Sequence, residues 1–136
     1  MALPKQFLDW FKAKGWAAHP HQYQIVEKTA AGHPVLLVAP TGAGKTLSGF
    51  LPSLIDLSQT PFEGLHTLYL SPLKALAVDI ARNLESPIVE MGLDITIETR
   101  TGDTPQSKRN RQRTAPPNIL LTTPESLELM LSWPEA

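Results

Sequence analysis

The amino-acid sequence predicts an α/β fold, a parallel β-sheet with flanking helices, on three observations. First, four short apolar or β-branched runs, Val35–Ala39, Thr67–Leu70, Ile95–Thr99 and Asn118–Leu121, alternate with helix-patterned stretches at about 47–58, 73–85, 105–113 and 125–132. Such alternation builds right-handed βαβ units with helices on both faces of the sheet. Second, a glycine-rich turn joins the first run to the first of those helices. Third, 136 residues at 42% hydrophobic content suffice for one core and are too few for two ordinary domains.

Ahead of the alternation come two helices. The stretch Lys5 to Lys14 places Phe7, Leu8, Trp10 and Phe11 on one side at helical spacing and stops at Gly15, a favourable residue just past a helix end. An aromatic stripe of this kind reads as core. A second helix is expected from Gln22 to about Ala31, ending at Gly32. Pro116-Pro117 marks a loop, and the chain carries no repeat and no low-complexity segment.

Composition excludes several classes. The formal net charge is −1, so contact with nucleic acid must come from local groups. The absence of cysteine removes disulfides, thiolate metal sites and Cys nucleophiles. No apolar run approaches the roughly 20 residues of a membrane span, and the N-terminus is amphipathic, so a cytoplasmic setting without a membrane partner is expected. His19, His21 and His33 lack partners at metal-ligand spacing, and no Ser-His-Asp set can be argued.

The turn after the first strand carries the clearest chemistry. From position 39 the chain meets G-x-x-x-x-G-K-[ST], with Ala39 in the first glycine place, then Gly44, Lys45 and Thr46. The backbone from Pro40 through Thr41, Gly42, Ala43 and Gly44 can turn inward around an anion, with N–H groups from the four residues after the proline and glycines where a Cβ would block the approach. The helix starting near Lys45 adds its positive end. Lys45 can place an ammonium on the β- and γ-phosphates of ATP, and the Thr46 hydroxyl can bind a bridging Mg²⁺. The apolar strand before this turn weighs against a plain glycine turn beside a solvent-facing lysine.

In an open parallel sheet, ligands gather outside the carboxyl ends of the strands. After the second strand comes SPLKAL (71–76), after the third RTGD (100–103), after the fourth TTPESL (122–127). Ser71-Pro72 and Thr123-Pro124 each read as an N-cap hydroxyl followed by proline at N1. Lys74 stands in a first helical turn, where a cation opposes the dipole and requires another reason, such as a bound phosphate. Either start alone reads as a good helix start; together with Arg100 and Gly102 on one edge they read as seats for a nucleic-acid backbone. The run Lys108, Arg109, Arg111, Arg113 fits either a solvated face or a further backbone contact.

These motifs resemble those of superfamily 2 helicases. APTGAGKT (39–46) is similar to motif I, SPLKALAVD (71–79) to motif Ia and TTPESL (122–127) to motif Ib. Within that superfamily, residues 69–84 and 100–131 most resemble the large helicase-related (Lhr) proteins. GW-x-x-H-P-H-Q-Y-Q (15–24) leans toward the ligase-associated branch linked to DNA damage response. The resemblance implies a RecA-like phosphate-loop NTPase fold, with 1–32 a helical segment bearing a Q-motif-like region and 33–136 a partial ATP-binding domain. It implies that Gln24 reads the adenine edge. It places Ser71, Leu73, Lys74, Arg100, Thr101, Gly102, Thr123 and Glu125 near a single strand or tailed DNA duplex. It also implies 3′-to-5′ movement, DNA ligase and other repair proteins as partners, and DNA–RNA hybrid as an alternative track.

The D-E-x-H strand and the arginine fingers of such motors have no counterpart in these residues. Asp56, Asp79, Asp94 and Asp103 do not stand as a D-E pair at the end of an apolar strand. The chain therefore reads as the first part of a longer protein, and residues 1–136 alone are expected to bind nucleotide without turning it over. A phosphate-loop binding module or small-molecule kinase is the competing class; it should bring an arginine-bearing lid, and none is evident.

Overall fold

The computed structural model describes residues 3–16, 20–30, 45–60 and 62–132. Two compact units are distinguished: Met1–Thr60 with Pro87–Leu93, and Pro61–Ser86 with Asp94–Ala136.

The described residues of the first unit are mostly helical. Helix α1 spans Lys5–Ala13, α2 Pro20–Ala30 and α3 Lys45–Gln59, and the end of α4 (Lys74–Glu90) belongs here too. The expected aromatic face of α1 is its buried face, formed by Phe7, Trp10 and Phe11, whereas Leu8 is exposed. Leu8 precedes Asp9 at the margin of the stripe, and three aromatic side chains already fill the inward arc. Gly15, at φ 74°, ends the helix. Trp16 N donates to Phe11 O at 2.9 Å and Gly15 N to Lys12 O at 3.0 Å, the paired bonds that a left-handed glycine permits at a helix end. Trp10 meets Phe11 and Trp16, each at 5.5 Å between ring centroids. Gln6 Nε2 donates to Met91 O at 2.7 Å, and Lys14 Nζ pairs with Glu90 at 2.7 Å. Helices α2 and α3 pack on each other; Leu51 and Leu54 of α3 are completely buried, so truncating either to alanine removes about 2–5 kcal/mol.

The second unit holds the sheet. Strands β1 (Thr67–Leu70), β2 (Ile97–Arg100) and β3 (Ile119–Thr122) run parallel in the order β1-β3-β2. Among the described residues β3 lies between the other two strands and is buried at all four positions, while β1 leaves Leu68 and Leu70 exposed. Helix α5 spans Gln106–Thr114 and α6 Pro124–Leu131.

Strand β1 lies where expected; β3 starts one residue later and β2 two residues later than the β-branched pattern suggests. The cause is Asn118. Its Oδ1 accepts from Thr96 N at 3.0 Å and Thr96 Oγ1 at 3.2 Å, and its own N–H donates to Thr96 Oγ1 at 2.8 Å. Side-chain bonds thus hold Thr96 where the strand pattern anticipated regular pairing. Asn118 Nδ2 also donates to Phe62 O and Gly64 O, each at 2.9 Å.

Helix α4 also departs from expectation, running through Pro87 to Glu90 rather than stopping near residue 85. Proline at this place removes one intrahelical bond. Ala77, Ile80, Leu84 and Ile88 form a buried stripe at helical spacing, and its burial outweighs that loss. Gly92, at φ 65°, closes the helix, with Leu93 N donating to Ile88 O at 2.9 Å. The strand Val35–Ala39 expected from the sequence lies outside the described residues.

Candidate nucleotide and nucleic-acid interface

Residues 40–44 of the phosphate loop lie outside the described residues. The helix that follows is present: α3 opens at Lys45, so Lys45 and Thr46 occupy its first two positions. Free N–H groups of a first helical turn favour an anion there. Gln24 stands on α2 with an exposed side chain.

The register of the sheet brings the other strand ends together. Leu70 pairs with Thr122, and Thr122 with Arg100, so the segments after β1, β3 and β2 leave one edge side by side. Ser71 N donates to Thr122 O at 2.8 Å, and Thr122 Oγ1 to Arg100 O at 2.7 Å. These two bonds lock the three exits to one another.

On this edge the sequence-predicted residues divide into two groups. Ser71, Arg100, Thr101 and Thr123 are buried. Ser71 is not the N-cap of α4, which opens at Lys74. Its hydroxyl instead forms a local turn, accepting from Leu73 N at 3.3 Å and donating to Leu73 O at 3.0 Å, a pattern that competes with helical capping. Thr123 does hold the N-cap position of α6 with Pro124 after it, but its hydroxyl donates to Ser126 Oγ at 3.3 Å rather than accepting a backbone N–H.

Arg100 turns inward. Its Nη1 donates to Arg109 O at 3.1 Å and to Gln112 Oε1 at 3.4 Å. Burial, and then the neighbouring charge of Arg109, lower its guanidinium from the ordinary value. Arg109 Nη2 donates to Thr101 O at 2.7 Å, so the two arginines brace opposite ends of the same loop. Arg109 Nε is buried without a hydrogen-bond partner among the described residues.

Leu73, Lys74, Gly102 and Glu125 form the exposed group. Lys74 has a partner within the chain that the sequence did not suggest: its Nζ lies 3.2 Å from Asp103 Oδ2. Gly102 has φ outside the left-handed region, and an added Cβ would meet nothing within 4 Å. Glu125 stands in the first turn of α6, where a carboxylate suits the helix dipole.

The basic run on α5 has a mixed fate. Arg109 braces the loop as described, while Arg111 pairs with Glu98, whose other oxygen accepts from Gln112 Nε2 at 3.0 Å. Gln112, Asn118 and Asp103 carry more of the structure than the sequence signalled. Only Asp103 stood in a recognisable motif, RTGD. Among the described residues no group of three or more His, Cys, Asp or Glu side chains could hold a metal ion, and no helix is long and apolar enough to cross a membrane.

A parallel sheet with flanking helices, its strand exits locked in register on one edge, is the architecture of RecA-like helicase domains. The chain belongs to the DEAD/DEAH box helicase family, whose signature matches residues 19–136. It is 42% identical over 137 residues to the Lhr helicase/probable uracil glycosylase of Mycolicibacterium smegmatis, covering 91% of this chain and 9% of that protein. It is 38% identical over 148 residues to the ATP-dependent helicase Lhr-Core of Methanocaldococcus jannaschii, covering 98% of this chain and 18% of that one. The chain thus spans less than a fifth of the length of these relatives. The structure of Mycobacterium smegmatis helicase Lhr bound to ssDNA and AMP-PNP is similar to this one, with a TM-score of 0.87 at 38% identity over 96% of this chain and 18% of that chain.

Proposed function

We propose that residues 1–136 are the ATP-binding part of an ATP-dependent DNA helicase that moves 3′ to 5′ along one strand and serves DNA repair. The observation that carries this reading is the edge where Leu70, Thr122 and Arg100 end in register, with Lys74 and Gly102 exposed beside it. A charged side chain and an open backbone on a locked edge suit sequence-independent contact with a nucleic-acid backbone. The family and the DNA-bound relative support the choice of track.

In this reading residues 1–32 form the segment that includes Gln24, which meets the adenine edge, and 33–136 form part of the motor domain. Backbone groups along 40–44 cradle the phosphates, Lys45 neutralises them, and Thr46 supplies one oxygen to Mg²⁺. Leu73, Lys74, Gly102 and Glu125 meet the strand. Ser71, Arg100, Thr101 and Thr123 act from beneath by holding the loops that present them. DNA ligase and other repair proteins are the partners, on the family resemblance, and the setting is cytoplasmic, on composition and the lack of an apolar span in the sequence.

The test is the full-length protein assayed for ATP turnover and for unwinding of 3′- and 5′-tailed duplexes, each as DNA and as DNA–RNA hybrid. Single strands should stimulate turnover, K45A should lower it by about a hundredfold or more, and the 3′-tailed duplex should be preferred. Turnover indifferent to nucleic acid would sink the helicase reading, and preference for the 5′ tail would reverse the polarity.

A further inference from the structure

Asp103 is held on its turn with unusual care for an exposed residue. Its backbone N–H donates to Thr101 Oγ1 at 3.2 Å, Thr101 N donates to Thr104 Oγ1 at 2.9 Å, and Thr104 N returns to Thr101 O at 3.2 Å. Arg109 Nη2 fixes the same Thr101 carbonyl. Two hydroxyls and a guanidinium therefore set the turn from which the Asp103 carboxylate reaches Lys74 Nζ. The side chains of Lys74 and Asp103 remain 56% and 79% exposed. An ion pair so open to water holds two groups together only weakly, and a phosphate oxygen forms a charge-assisted bond of at least comparable strength.

From this geometry we infer that Asp103 is a displaceable counter-ion for Lys74. It holds the ammonium at the strand-end edge when no strand is bound and yields it to a backbone phosphate on binding. The inference rests on the proposed strand contact at Lys74 and adds to it a built-in competitor. Strand contact at this position is thereby exchanged rather than simply formed, which lowers affinity and eases release. Asp103 is a positioning residue: it acts through Lys74 and touches the strand only by ceding its partner.

The test is a double-mutant cycle in the full-length protein, read by fluorescence anisotropy with a single-stranded oligonucleotide at several salt concentrations. K74A in the wild-type background should weaken binding. D103N keeps the shape of the side chain and removes its charge, and should tighten binding at low salt by about two- to fivefold. Freed from an internal competitor, Lys74 then contributes its full counter-ion release, so the salt slope should steepen by up to roughly 0.7, the share of one phosphate. Both effects should vanish when D103N is combined with K74A. Equal binding by wild type and D103N, or a gain that persists without Lys74, overturns the inference while the strand contact stands. No effect of K74A by itself overturns both.

Discussion

The two ends of the parallel sheet are held together by different means. At the amino end one buried side chain, Asn118, accepts from Thr96 and donates to two carbonyls of the segment before β1, and its backbone carbonyl accepts from His66 and Thr67. Each of these bonds is internal. At the carboxyl end Ser71, Thr122, Arg100 and Thr101 form a buried lattice, above which Leu73, Lys74, Gly102 and Glu125 remain exposed. The contrast is one of what stays uncovered: the amino end directs its polar groups to itself, and the carboxyl end leaves an exposed layer where we propose that the strand binds.

Substitutions at the two ends should accordingly move different quantities. At the sheet ends the largest stability effect is expected for N118A, which leaves several part-buried donors and acceptors without partners. At roughly 1 kcal/mol for each bond lost, unfolding free energy should fall by about 3 kcal/mol in guanidinium titration. Strand binding, measured where the variant remains folded, should be unchanged. A stability loss under about 1 kcal/mol would mean that water substitutes for the side chain and that the amino end is less self-contained than its hydrogen bonds indicate.

T122V tests the lattice beneath the carboxyl edge. Valine keeps the shape and removes the bond to the Arg100 carbonyl, so a stability loss of about 1–2 kcal/mol is expected. Strand affinity should fall as well, because the β2 and β3 exits lose their tie. Loss of stability with unaltered affinity would show that the exits keep their register without this bond.

The sequence displayed the elements better than the bonds between them. Strand β1 is an apolar, β-branched run that stops at Ser71-Pro72, so its residues could be read off directly. The carboxyl edge was legible because it depends only on which residues follow each strand. Three features escaped. Asn118 and Thr96 lie 22 positions apart and Asn118 and Phe62 lie 56 apart, and no periodic pattern links such pairs. The helix expected over about 73–85 runs on through Pro87 to Glu90, because a buried stripe across the proline outweighs the bond it removes. Arg100 read as a contact for a nucleic-acid backbone, and its burial was not legible because charge alone does not tell which way a guanidinium turns. The phosphate loop, the most explicit signal in the chain, falls outside the described residues apart from the start of α3.

The third and smallest effect on stability should come from the exposed layer. R111A removes a partly exposed ion pair with Glu98, for which about 0.5 kcal/mol is expected, with binding unaffected if the α5 face is only solvated. G102A should not destabilise the fold at all. Gly102 needs no left-handed conformation and an alanine Cβ would meet nothing within 4 Å, so the residual effect is the loss of unfolded-chain freedom, at most a stabilisation of about 0.4–1 kcal/mol. The fold therefore gives no reason for glycine at this position. A strand backbone approaching the peptide would, since the added methyl group would stand between them. G102A should thus bind single-stranded DNA several-fold more weakly while unfolding no earlier than wild type. Were binding unchanged, the strand would have to pass beside Lys74 without approaching the 101–104 turn, and the proposed binding layer of the carboxyl end would shrink to the helix starts of α4 and α6.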